Sequence, residues 1–343
     1  MKARRSNRPL PGLSVRSFTA NLPQVSIRLP AGKSFVRQQE QATCRRAGRS
    51  DGRDLPHGIY RGAMGLDLLV ASSGAEFEQL AATAIVRAVR AACTRAGAMP
   101  YTTEAGGALT TPRTECRRQV TVALPTGSTP LGAYRVLTRG PQVLPWNQVI
   151  VVALDEYVGL TQADPNSFTR QLKLAIVDRL PFAGFLSIDG AAPDPAIEAA
   201  RHQSAIDARG GLDVAVLGVG DNGHIAFNEP GSDIASPTRV VELDERTRQA
   251  NAGRFRGIGN VPSRAITVGI EPLLGAWQVV VLVAGAAKQP ALRALLDGSH
   301  DQRLPVTALG SHPHLTVVVA TDASTAIPAT ACRDPLANPP GLS

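Results

Sequence analysis

Hydrophobic positions in this chain are grouped, not alternating. Short runs rich in Val, Ile and Leu recur at 66–71, 120–124, 149–154, 212–216, 279–284 and 315–320. Most intervals between them are long enough for a helix that crosses back over a sheet. A strand buried on both faces reads as an unbroken apolar run, so the pattern predicts an α/β fold with a doubly wound, mainly parallel sheet and helices on both faces. In such sheets ligands bind beyond the carboxyl ends of the strands, which makes the residues just after each run the candidates for chemistry.

The run at 66–71 leads into Ser73-Gly74-Ala75-Glu76, the pattern in which two side chains reciprocally satisfy free backbone donors at a helix start. Phe77, Leu80, Ala84, Ile85, Ala88 and Val89 then repeat at helical spacing and give that helix a buried face, and Gly97 ends it. Residues 98–116 carry Gly, Thr and Pro without a period and read as a surface insertion. Residues 1–63, rich in Arg, Ser and Pro, are expected to be largely disordered, leaving a folded domain at 64–328 and a tail at 329–343. An organelle-targeting presequence, a basic interaction arm and untranslated upstream sequence compete as explanations of the first segment. The position of Met64 just before the first predicted strand favours the last.

Composition narrows the class. The chain has 343 residues, 43% of them apolar and 4% aromatic, which suits a globular domain with a sizeable core. Its net charge of +8 changes meaning once located, because residues 1–63 carry 13 Lys or Arg against three acids and the remainder carries 23 against 25. The basic excess belongs to a tail that lacks the interleaved aromatics of a base-stacking surface, the folded part is slightly acidic, and no nucleic-acid partner is expected. No stretch reaches the roughly 20 apolar residues that span a bilayer, and the first residues lack the apolar middle of a secretory signal, so neither a membrane nor export is expected. Cys44, Cys93, Cys116 and Cys332 show no CxxC spacing; no zinc or redox site is expected, and a reduced, cytoplasmic setting follows.

Four strand ends carry candidate chemistry. In LPTGSTPLGAYRVL (124–137), Gly127 lets backbone approach an anion, Thr126, Ser128 and Thr129 offer hydroxyls, and a helix is expected to open at Thr129 with Pro130 in its first turn. This reads as a phosphate cradle; an ordinary strand-to-helix turn is the alternative. In VVALDEYVGL (151–160), Asp155 and Glu156 follow a run directly, and a carboxylate shielded there can have a raised pKa and act as a general base. Solvated loop acids or a helix cap would look the same. Neighbours in extended chain point oppositely, so one of the two should face a ligand, and Asp155 is chosen. In LGVGDNGHIAFNEPGS (217–232), His224 with Glu229 can form a proton relay, a carboxylate fixing one ring nitrogen while the other handles a substrate proton. In AGAAKQPALRALLDG (284–298), Lys288 sits near a helix start and can hold a phosphate as a point charge, or simply face solvent.

These stretches in this order, with DPNSF (164–168), RTRQAN (246–251) and SHPHLTVVV (311–319), resemble the glucosamine-6-phosphate deaminases of the glucosamine/galactosamine-6-phosphate isomerase family from about Leu66 to Ser324, apart from the insertion. The resemblance implies a Rossmann-like sheet of the sugar-phosphate isomerase/CoA-transferase type. It also implies conversion of glucosamine 6-phosphate and water to fructose 6-phosphate and ammonia without metal or organic cofactor. Carried over by motif, His224, Glu229 and Asn222 open the sugar ring and Asp155 moves a proton from carbon 2 to carbon 1. Thr126, Gly127, Ser128, Thr129 and Lys288 match phosphate-binding positions. The chain departs from the family where Gly253 stands in place of the usual arginine and Arg254 follows, which makes Arg254 the substitute candidate. Of the residues that bind an acetylated amino-sugar phosphate activator in some relatives, Arg239 matches but Val241 and Glu242 do not, so no such activation is expected.

The expected partner is thus a small amino-sugar phosphate, with homo-oligomer formation left open. Rival readings are a 6-phosphogluconolactonase-like hydrolase, whose family lacks NEP and DEYVGL, a galactosamine 6-phosphate enzyme, and a sugar-phosphate-sensing binding protein using its basic arm.

Overall fold

A computed structural model describes residues 58–61, 66–97, 118–140, 144–298 and 300–324. In chain order its elements are β1 (Gly58–Arg61), β2 (Leu66–Val70), α1 (Gly74–Arg95), β3 (Val120–Leu124), α2 (Leu131–Arg139), β4 (Val149–Ala153), β5 (Asp155–Tyr157), α3 (Phe168–Ala175) and β6 (Gly184–Leu186). They continue with α4 (Pro195–Asp207), β7 (Val214–Gly218), β8 (Arg239–Glu242), α5 (Glu245–Asn251), β9 (Arg264–Thr267), α6 (Ile270–Leu274), β10 (Gln278–Val283), α7 (Gln289–Asp297), β11 (Leu315–Val319) and α8 (Thr321–Ser324).

Eight strands form the main sheet in the order β1-β2-β11-β10-β7-β3-β4-β6, and every pair is parallel except β1 with β2. Alternate residues of each central strand feed two separate cores. Val122, Val151, Val216 and Val280 pack with α1, α2 and α3 on one face, while Ala123, Val152, Leu217 and Val281 pack with α6, α7 and Ile206 of α4 on the other. This is the doubly wound α/β architecture expected from the apolar runs, since strands buried on both sides have no solvent face to carry polar residues. A second, antiparallel sheet, β5-β9-β8, grows from the carboxyl end of β4.

From β3 the chain winds outward through β4 to β6, and from β7 it winds the other way through β10 to β11. The order therefore reverses between β3 and β7, which pair over only two residues, Val122 with Val214 and Ala123 with Ala215. Such a reversal opens a crevice beyond the carboxyl ends, where loops on either side diverge.

Several local expectations shift. The strand expected at 212–216 runs instead over Val214–Gly218. Asp213, expected inside it, is buried before its start, its carboxylate held by the Arg118 guanidinium and by the Thr121 amide and hydroxyl. The cap of α1 is displaced by one residue: Ser73 accepts from the Glu76 amide, but the Glu76 carboxylate returns to the amide of Ser72, 2.6 Å away, not to that of Ser73. The helix expected to open at Thr129 begins at Leu131, with Pro130 at its cap, because a turn from Ser128 to Leu131 comes first. β1 lies inside the segment expected to be disordered and pairs Gly58–Arg61 with 67–70, so the sheet extends beyond the domain boundary drawn at Met64. An isolated four-residue edge strand needs only one partner and leaves no periodic signal. The expected insertion at 98–116 and the tail at 329–343 lie outside the described residues. Among the described residues no helix is long and apolar enough to cross a membrane.

Candidate active site

The loop after β7 folds tightly around its histidine. Gly223 adopts φ 79° and Ala226 φ 50°, left-handed conformations that reverse the chain twice within four residues. The reversal brings the Asn222 amide oxygen to 2.7 Å from Nδ1 of His224 and lets it accept from the His224 backbone amide at 3.2 Å. The Asn222 Nδ2 group donates to Oε2 of Glu229 at 2.8 Å, and the same carboxylate oxygen lies 3.5 Å from His224 Nδ1. Two acceptors thus face Nδ1, which must carry the ring hydrogen in the neutral imidazole, leaving Nε2 with its lone pair outward. Burial alone would raise the Glu229 carboxyl, but hydrogen bonding to His224, that ring's charge, and the side chains of Thr247 and Asn222 outweigh it and hold the group below its ordinary pKa. Oε1 of Glu229 is buried without a partner among the described residues.

Asp155 and Glu156 face opposite ways, as adjacent residues of β5 must. Glu156, 1% exposed, accepts from the amides of Tyr157, Phe168 and Thr169 and from the Ser167 hydroxyl at 2.7 to 3.0 Å, so it caps the start of α3. Asp155, 8% exposed, has no such ring of donors among the described residues. Burial and the neighbouring Glu156 charge push its pKa up to about 8.

Two features tie the Asp155 strand to the histidine loop. Asp155 pairs with Thr267 in β9, and the Thr267 hydroxyl accepts from the amide of Phe227, three residues after His224. Tyr157, Phe168, Phe227 and Phe255 pack as an aromatic cluster with ring centroids 4.8 to 5.6 Å apart. Asp155 and His224 are therefore both tied to one apolar cluster.

On the other side of the crevice, Thr126, Gly127, Ser128 and Thr129 follow β3, with Gly127 at φ 91°. Beside them a cavity of about 540 Å³ is lined by Ser72, Ser73, Ser128, Thr129 and Gly285, which follow strand ends, and by Arg135 of α2. A larger hollow of about 660 Å³ opens at the opposite, amino-terminal edge, lined by Arg87, Arg90, Arg95, Trp277 and His314, away from Asp155 and His224.

The sequence profile of the family described as glucosamine-6-phosphate isomerases/6-phosphogluconolactonase matches residues 103–319, more than half of the chain. The chain belongs to this family. It is 39% identical over 212 residues to glucosamine-6-phosphate deaminase 1 of Bacillus subtilis, covering 60% of this chain and 87% of that one. To a glucosamine-6-phosphate deaminase of Bacillus velezensis it is 40% identical over 203 residues, 58% of this chain and 84% of the other. Among solved structures, a monomeric glucosamine-6-phosphate deaminase superposes with a TM-score of 0.64 at 32% identity, over 76% of this chain and 99% of that one. A 6-phosphogluconolactonase from Thermotoga maritima shares the fold at 18% identity and a TM-score of 0.53, over 74% of this chain and 98% of that one.

Within this family member, Lys288 closes a 3-10 turn after β10 and caps α7, and its ammonium is bonded to the carboxylate of Asp221 in the histidine loop. The guanidinium of Arg254 lies 5.5 Å from the centre of the Phe168 ring. Sequence reading passed over Gly220, whose missing side chain makes room for the imidazole, and Thr247, whose hydroxyl lies 3.4 Å from His224 Nδ1. Thr247 stands in the RTRQAN stretch, but nothing in its spacing marks the hydroxyl. Gly220 carried only the weak signal of a glycine beside a strand end.

Proposed function

We propose that the chain is a glucosamine-6-phosphate deaminase, converting glucosamine 6-phosphate and water to fructose 6-phosphate and ammonia in amino-sugar catabolism. The observation that carries this reading is a buried carboxyl with a pKa near 8, Asp155, tied through Thr267 and the aromatic cluster to an imidazole with a committed Nδ1, His224. Isomerisation of an amino sugar needs those two groups: one that moves a proton between ring oxygen and anomeric hydroxyl, and one that moves a proton between adjacent carbons.

In the proposed sequence His224 uses Nε2 to shuttle the proton that opens the ring, with Asn222 and Glu229 holding the tautomer. Ionised Asp155 removes the proton from carbon 2, acidified by the carbonyl at carbon 1, and returns it to carbon 1. The double bond now lies between carbon 2 and nitrogen; water adds there and ammonia leaves. Thr126, Gly127, Ser128, Thr129 and Lys288 anchor the phosphate, so binding energy from the remote end positions the reacting carbons. Arg254, whose guanidinium lies over the Phe168 ring, is a further phosphate-side candidate. Every step is acid–base chemistry. The catalytic unit in this reading is the 64–328 domain with strand β1 added to its sheet, in a cytoplasmic protein.

Incubation with glucosamine 6-phosphate, following ammonia and fructose 6-phosphate together, tests the reading, with 6-phosphogluconolactone as a parallel substrate. Equal release of the two products supports it. Lactone hydrolysis without ammonia release from the amino sugar overturns it in favour of a lactonase.

A further inference from the structure

Lys288, the cation assigned to the phosphate, is already occupied by Asp221. The pair spans two loops. Asp221 precedes Asn222, whose amide holds both His224 and Glu229, and Lys288 ends the turn after β10. Exposure within the pair is unequal: the lysine side chain is 19% exposed and the aspartate 63%. The aspartate thus covers the lysine from the solvent side, and among the described residues its carboxylate is bonded only to that lysine.

We propose that Asp221 is a positioning and specificity-determining residue, the resident counter-ion with which the substrate's phosphate must compete for Lys288. The inference rests on the reading of Lys288 as a phosphate ligand. An ammonium is a point charge with three donors, so it can touch carboxylate and phosphate together, but a dianion arriving there meets a like charge within a few ångströms. The chain has glycine at 253, and the arginine beside the phosphate loop, Arg135, is itself paired with Glu78 at 2.7 Å, which makes the neutralisation of Lys288 matter more. Asp221 thereby sets phosphate affinity below what Lys288 alone would give and favours ligands whose remaining contacts, to the sugar, offset the competition. Because the aspartate is mostly exposed, this penalty shrinks as salt rises.

Calorimetric titration of the full chain with inorganic phosphate tests the proposal without requiring turnover. Asp221→Asn should bind phosphate about 3- to 10-fold more tightly at low salt, a factor expected of one like charge near a partly solvated site. Asp221→Glu, which keeps the charge, should behave as wild type, and Asp221→Asn should have no effect in a Lys288→Ala background. With glucosamine 6-phosphate the Asp221→Asn substitution should lower KM without raising kcat. Unchanged or weaker phosphate binding overturns the proposal, as does tightening that persists without Lys288, or a fall in kcat at constant KM. A chain that binds phosphate in this pattern but releases no ammonia retains this inference and loses the deaminase reading.

Discussion

The imidazole of His224 occupies the space that a Cβ on residue 220 would need: an ideal Cβ built on Gly220 overlaps the ring at Cε1, Nδ1 and Nε2. The backbone reinforces the arrangement, with the Gly220 amide donating to the His224 carbonyl at 2.9 Å. Gly220→Ala should therefore push the ring off Asn222 and lower kcat/KM by about 10²-fold, the scale of an ångström's misplacement of a reacting group. The displaced atoms are the end of a flexible side chain, so the melting temperature should barely move. Steady-state kinetics beside a thermal melt separates the two effects.

Asp155 must be ionised to act as a base, and its carboxyl is held up to about 8, first by burial and then by the charge of Glu156. The rate constant kcat/KM should rise with pH and level off above about 8, falling about tenfold per pH unit well below it. Glu156→Gln removes the second cause and should move that limb to lower pH. A pH profile of the two proteins checks both the limb and its direction of shift.

The same raised pKa is a cost to the fold. Unfolded Asp155 gives up its proton near the ordinary 3.8, whereas folded Asp155 keeps it to about 8. Between these values the folded state binds more protons, so Asp155 makes stability fall as pH rises. Asp155→Asn lacks this dependence. Its melting temperature should approach that of the wild type near pH 4 and exceed it by about 5 °C or more at pH 8.5.

A second buried group acts in the acid range. His202 of α4 bonds the carbonyl of Ala153 at 3.0 Å through Nε2, and burial lowers its pKa from 6.5 to about 4. Between those values the unfolded chain binds the extra proton, so stability falls as pH drops from 6.5 toward 4. In His202→Gln, where the amide can keep the bond to Ala153, urea unfolding at pH 5 and pH 7 should differ less than in the wild type.

The central strands were legible because parallel strands covered on both faces leave no room for polar residues, and β3, β4, β10 and β11 fall on their apolar runs within a residue. The edge strands β1 and β6 are three or four residues long and carry too little pattern to be seen. β5, β8 and β9 were hidden for another reason: an antiparallel sheet of three short strands is defined by partners up to 112 residues apart, as with Asp155 and Thr267. In the candidate site, His224, Asn222 and Glu229 could be read together because one loop carries all three. The engagement of Lys288 by Asp221, the room left by Gly220 and the turning of Glu156 toward α3 are tertiary facts without a local signature. For Glu156 the sequence offered the cap only as an alternative shared with its neighbour.

The most direct test of the account follows glucosamine 6-phosphate deuterated at carbon 2 through the wild type and Asp155→Asn. Wild-type protein should show a primary isotope effect and deliver part of the deuterium to carbon 1 of fructose 6-phosphate, while Asp155→Asn should release ammonia on the order of 10²-fold more slowly or worse. Ammonia release by Asp155→Asn at the wild-type rate, with the same deuterium at carbon 1, would contradict the assignment of the proton transfer to this aspartate.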